Sequence, residues 1–192
     1  MKPRLCRLLL AATLLLALPS ACSNASGDAL PLQDYRDPAS RYSFALPEGW
    51  QAETAADGTL TLSPDGKTDD PEALRVILFF APVESEDVQT HVDQAQAALK
   101  PFLDLYLDND YALVNQGEAS VNKLPAVILD YAKPYNDSYL LARLEMVATP
   151  KAAVAFLGMG SEANWEPFLP TFRAMLAKFH AGGPDNSPTG QP

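Results

Sequence analysis

Cysteine and histidine are scarce in this chain, with two of each among 192 residues. A structural zinc site gathers about four Cys or His ligands. His91 and His180 have neither a cysteine nor each other nearby, so both read as ordinary surface histidines. No basic cluster follows Arg7, and 24 acidic residues stand against 14 basic ones. Such a surface repels phosphate backbones, which argues against nucleic-acid binding. No serine sits in Gly-x-Ser-x-Gly, so the chain has no nucleophile elbow. Gly158 and Gly160 in "FLGMGS" lack the third glycine of a dinucleotide fingerprint and end an apparent hairpin. Asp65, Asp69, Asp70 and Glu72 offer hard oxygen ligands, but without the Asp-x-Asp-x-Asp-Gly progression of a calcium hand they read as a solvated loop. No catalytic, cofactor or metal residue is therefore expected.

What the chain does have begins with Lys2, Arg4 and Arg7, followed by an uncharged Leu/Ala-rich run of eleven residues, Leu8 to Leu18. A basic leader ahead of an apolar core too short to span a bilayer reads as a secretory signal. The segment Leu18-Pro19-Ser20-Ala21-Cys22 resembles the lipobox of bacterial lipoproteins, with Pro19 where Leu is usual. The resemblance implies cleavage before Cys22 and transfer of diacylglycerol to its thiol. Ser23 after the cysteine, rather than Asp, resembles an outer-membrane sorting signal of diderm bacteria. Several buried acyl chains anchor firmly, at about 0.8 kcal/mol per methylene. The alternative is ordinary cleavage near Ala21, giving a soluble periplasmic protein.

Cleavage before Cys22 removes 21 of the 192 residues and leaves 171, enough for one domain with a substantial core. It also removes three basic residues and no acidic ones, taking the net charge from −10 to −13. Cys6 departs with the leader, so the domain has no intrachain disulfide. The expected organisation is a signal peptide over 1–21, a lipid-anchored flexible tether over 22–38, a folded domain over 39–180 and a disordered tail over 181–192.

Within the domain the periodicity switches between two and about 3.6. "RYSFAL" is a short strand that turns at Pro47-Glu48-Gly49, and "GTLTL" is another. "ALRVILFFA" is apolar on both faces and reads as a central strand. Val88, Val92, Ala95, Leu99 and Phe102 form a helical stripe behind a Ser85 cap, with Pro101 expected to interrupt or kink the helix near Lys100. "YALVNQGEAS", "LPAVILDYAK", "SYLLARLEMVA" and "AAVAFLGMG" are four more strands, the last two an antiparallel hairpin across Thr149-Pro150-Lys151. Trp165, Phe168, Phe172, Leu176 and Phe179 mark a final helix, with Pro170 implying a start near Glu166 or a bend. Strands, helix, strands, helix is the order of an α+β fold with a mostly antiparallel sheet.

"YSFALPEGW" (Tyr42 to Trp50), a Gly-led strand after it, and a closing helix opened by Trp165 and continued by Phe168, Phe172 and Phe179 together resemble the PsbP-like/DcrB-like superfamily over residues 39–180. The resemblance implies a three-layer α/β/α sandwich, often found in bacterial lipoproteins and usually without catalytic activity, whose understood members stabilise or chaperone other proteins. It makes the chain a lipid-anchored envelope protein that binds or assists a protein partner. A periplasmic small-ligand carrier is the alternative, and a hydrolytic enzyme a further one. Trp50 and Trp165 either contact a partner or fill the core.

The mature protein is expected to carry its acyl chains on Cys22, which an intact mass will read directly. Cys22→Ala is expected to block processing and leave the precursor unlipidated.

Overall fold

A computed structural model describes residues 28–39, 41–66, 69–83, 88–149 and 152–182. In chain order the elements are β1 (Leu32–Arg36), β2 (Tyr42–Pro47), β3 (Gln51–Thr54), β4 (Leu60–Ser63), β5 (Arg75–Pro82), α1 (Val88–Tyr106), β6 (Ala112–Val121), β7 (Leu124–Tyr135), β8 (Ser138–Thr149), β9 (Ala152–Ser161), α2 (Glu162–Ala177) and β10 (His180–Ala181). β3, β4, β5, β9, β8, β7 and β6 lie side by side in that order in a seven-stranded sheet, antiparallel throughout. A second sheet, β1-β2-β10, is three-stranded. α1 packs on β5, β8 and β9, while α2 packs on β8, β9 and β2.

Alternation along the strands decides which helix each side chain meets. Leu74, Val76, Leu78 and Phe80 join the core beneath α2, whereas Ile77 and Phe79 join the one beneath α1. β5 therefore is an interior strand covered on both faces, and β9 beside it is buried at all ten positions. β8 and β9 form the expected hairpin, with Thr149 opposite Ala152. At the β2 turn the Trp50 N–H donates to the Pro47 carbonyl (3.2 Å) across Gly49, whose φ of +80° favours a residue without a Cβ.

Four expectations are corrected. Residues 22–38 are not tether throughout: Leu32–Arg36 pairs with β2, and Tyr35 packs on Phe44 with ring centroids 4.9 Å apart. β3 was not expected, because all four of its residues are exposed and carry no apolar alternation. Pro101 does not end α1, which runs on to Tyr106. Leu99 and Phe102 are buried on either side of the proline, so packing outweighs the one lost backbone hydrogen bond. α2 begins at Glu162, which overturns the late start near Glu166 that Pro170 implied and leaves the bend as the other expectation. The proposed cap at Ser85 lies outside the described residues, and so does most of the tail, although Ala181 is paired in β10.

The α2 layer is keyed to the sheet by one close approach. A Cβ on Gly158 of β9 would stand 2.3 Å from Cη2 of Trp165 and 3.0 Å from Cε2 of Phe172. Only a residue with no side chain lets the indole lie on the strand. Phe172 meets Trp165 nearly edge-on at 5.2 Å, and Trp50 stacks on Phe168 at 4.9 Å. Trp165 is 5 % exposed and Trp50 8 %.

Trp165→Ala is expected to cost about 3–5 kcal/mol in denaturant unfolding. Gly158→Ala is expected to cost about 1–3 kcal/mol through overpacking, and much less when Trp165 is already Ala, a coupling that a double-mutant cycle measures.

Candidate functional site

Past the aromatic rings, the α2-facing side of the sheet becomes charged. Arg143 and Glu145 lie on the same face of β8 as buried Val147. Asp130 of β7 stands directly opposite Arg143. The guanidinium grips this carboxylate with both arms, Nε donating to Oδ1 at 2.6 Å and Nη2 to Oδ2 at 3.0 Å. Asn115 of β6 adds a third bond from Nδ2 at 2.9 Å. Burial works to raise the Asp130 pKa, but the Arg143 and Asn115 bonds, with Arg173 behind them, outweigh it and hold the pKa below the usual carboxylate value.

Glu145 has no such settlement. It sits between Ile128 and Phe156 across the strands and is only 7 % exposed. Among the described residues no hydrogen bond or ion pair reaches its carboxylate. Burial raises its pKa, Arg143 and Arg173 oppose the rise, and Asp130 adds to it. Arg173, exposed on α2, likewise makes no ion pair with a described residue. The two face a pocket of about 250 Å³, lined also by Ser120, Val121, Asn122 and Leu176.

The pocket wall is held by a side chain on a tight turn. Val121 pairs with Leu124, so Asn122 and Lys123 alone connect β6 to β7, with φ values of +50° and +69°. Positive φ at both central residues is the type I′ hairpin turn, for which Asn is well suited. The Asn122 side-chain Nδ2 donates to the Phe179 carbonyl at 2.5 Å, fastening the turn to the chain just beyond α2.

Among the described residues β6 is the free edge of the large sheet, bonded to β7 alone. Its first seven residues are exposed, among them Leu113 (49 %) and Val114 (61 %). A register shift between Leu113 and Asn115 marks a bulge. Glu118 is the one charge in its ten residues, and it has no proline. Edge strands are commonly blunted by charge, proline or shortness; of these β6 has little, and the opposite edge, β3, is only four residues long. A groove of about 450 Å³ runs beside β6, lined by Gln116 and Glu118, by Val127 and Leu129 of β7, and by Gln96 of α1.

The residues singled out from sequence are dispersed. Cys22 lies outside the described residues, and so does the His91 side chain on α1. Trp50 and Trp165 are both in the α2-side core. His180 is exposed on β10, opposite Ser43. In the acidic loop the Asp70 carboxylate accepts the Glu72 N–H at 2.9 Å, a local turn contact. Among the described residues no three acidic, histidine or cysteine side chains gather as for a metal. Sequence reading passed over Glu145 and Arg173. The signal available was a pair of charges, Arg143 and Glu145, on a strand face shared with Leu141 and Val147.

No family model matches the chain, and no curated protein matches it. Solved structures do. The architecture is that of α+β sandwiches with a mostly antiparallel sheet, and within that class the fold is like that of PsbP. It is similar to cyanobacterial PsbP (CyanoP) from Synechocystis sp., with a TM-score of 0.56 at 20 % identity over 85 % of this chain and 99 % of that one. It is also similar to LpqN of Mycobacterium tuberculosis, described as involved in cell envelope biogenesis, with a TM-score of 0.56 at 10 % identity over 79 % of this chain and 92 % of that one.

The Glu145 carboxylate imposes a pH dependence with a definite sign. Its pKa is raised on folding, so the folded state holds the proton more tightly than the unfolded chain. The contribution of this group to stability is full below the unfolded carboxylate range and is lost as pH rises through the folded pKa. Glu145→Gln is therefore expected to melt above the wild type at about pH 8, with the difference closing toward about pH 4. Thermal scans of the two proteins across that range measure it.

Proposed function

We propose that this chain is a non-catalytic, lipid-anchored protein of the bacterial cell envelope, facing the periplasm from the outer membrane, that binds or assists a protein partner. The observation carrying this reading is the unpaired edge of β6. Its free N–H and C=O groups can accept a partner strand by main-chain hydrogen bonding, while alternate side chains and the groove beneath α1 supply selectivity. Leu113 and Val114 add apolar surface at the start of that edge.

The anchor supports the same reading. None of the described helices is long and apolar enough to cross a membrane, so a diacylglyceryl Cys22 would supply the attachment. The segment between Cys22 and β1 is then a short leash that keeps the domain near the bilayer, where envelope partners are concentrated. The likeness to LpqN is in keeping with an envelope role.

Replacing Leu113 and Val114 together by Lys places two charges on the edge without touching the core. Stability is expected to change by less than about 0.5 kcal/mol per site, while crosslinking of partners through a photoreactive residue at Gln116 in intact cells is expected to fall sharply. Unchanged crosslinking would move the partner site away from β6.

A further inference from the structure

We propose that the pocket between α2 and the β6–β7 turn binds a small zwitterion, a free molecule carrying one ammonium and one carboxylate group. This goes beyond partner binding at β6 and does not depend on it.

The inference starts from two opposite charges that share a pocket and do not pair. Glu145 is more than nine-tenths buried, and its carboxylate meets no donor among the described residues. Among the described residues no buried side-chain oxygen is left without a partner, so the Glu145 oxygens open onto the pocket, where only water or a ligand can meet them. Arg173 lines the same pocket, and no ion pair within 4.0 Å closes between the two side chains. The neighbouring charges cannot do the work, because Arg143 and Asp130 already satisfy one another in a two-armed pair.

The occupant follows from the arrangement. A simple cation would be attracted by Glu145 and repelled by Arg173 and Arg143; a simple anion would meet the reverse. A ligand with both charges satisfies each: its ammonium donates to the Glu145 carboxylate, and its carboxylate accepts from the Arg173 guanidinium, a planar fork suited to that geometry. Leu176 and Val121 cover the carbon stem between them. The volume of about 250 Å³ admits a molecule of about eight heavy atoms rather than a chain. Both charges close together on so small a body specify a free amino acid or an ω-amino acid, not a chain terminus, which presents only one of them. The Asn122 bond to the Phe179 carbonyl keeps the wall in place before the ligand arrives, so little ordering is left to be done on binding.

The test is calorimetric titration of the full-length mature protein with glycine, β-alanine and 4-aminobutyrate, and with methylammonium and acetate as the two halves. At least one zwitterion is expected to saturate the protein with a Kd below about 1 mM, and each half to bind at least about tenfold more weakly. Glu145→Gln and Arg173→Gln are each expected to weaken binding by at least about tenfold, with thermal unfolding confirming that both variants are folded. Glu145→Asp, which keeps the charge and shortens its reach, serves as the second variant and is expected to weaken binding too. The proposal is overturned if no zwitterion saturates by about 10 mM, if binding survives either neutralising substitution unchanged, or if methylammonium or acetate binds as tightly as the zwitterions. An Arg173 that merely swings onto Glu145 in solution gives the first of these results.

Discussion

The contact of the Trp165 indole with the bare backbone of Gly158 sets the height and angle at which α2 meets the large sheet. The other features of that face depend on it. Phe172 packs against the indole and Phe168 lies between it and Trp50, so the ring cluster reaches from β9 to the turn after β2. Phe44 and Phe179 both meet Phe156 edge-on, tying the small sheet and the end of α2 to the same strand. An interior close-packed in this way has few alternative arrangements. Once α2 is seated, Arg173 and Leu176 are delivered to the pocket edge.

The charged end of this face has a different logic from the aromatic end. Asp130, Arg143 and Asn115 form a cross-strand set in which each charge has a partner of good geometry. Glu145, two residues along β8, sits deeper and has none among the described residues. Opposite pKa directions on neighbouring strands, downward at Asp130 and upward at Glu145, express that difference. It arises from hydrogen bonding rather than from burial alone, since burial pushes both groups the same way. A paired carboxylate in this position is structural; an unpaired one is available.

Strands that bury both faces or alternate cleanly were legible from their residues. "ALRVILFFA", "SYLLARLEMVA" and "AAVAFLGMG" became β5, β8 and β9 with the faces their apolar positions indicate. β3 was illegible because Gln51–Thr54 is held by backbone pairing to β4 while its side chains stay in water. β1 was illegible because only Leu32 and Tyr35 turn inward, within a composition that otherwise suits a linker. Pro101 misled because local propensity was weighed without the apolar anchors on both sides of it. The pocket was harder still. Its walls come from β6 and its turn, β8 and α2, and no local pattern records that they meet. The Asn122 side chain brings the turn to Phe179, a contact between residues far apart in the chain.

The small sheet has a consequence for how the domain is completed. Ser43 of β2 is flanked by Arg36 on one side and His180 on the other, so the first and last strands of the domain share a single middle strand. The β1–β2 hairpin is local and can form as soon as those residues are available. β10 closes a loop of almost the entire domain, and such long-range pairing must wait until the intervening chain is in place. In a chain that emerges N-terminus first, one side of β2 is therefore zipped at the beginning and the other only at the very end. Until then β2 keeps an open flank, and β10 acts as the clasp that shuts it.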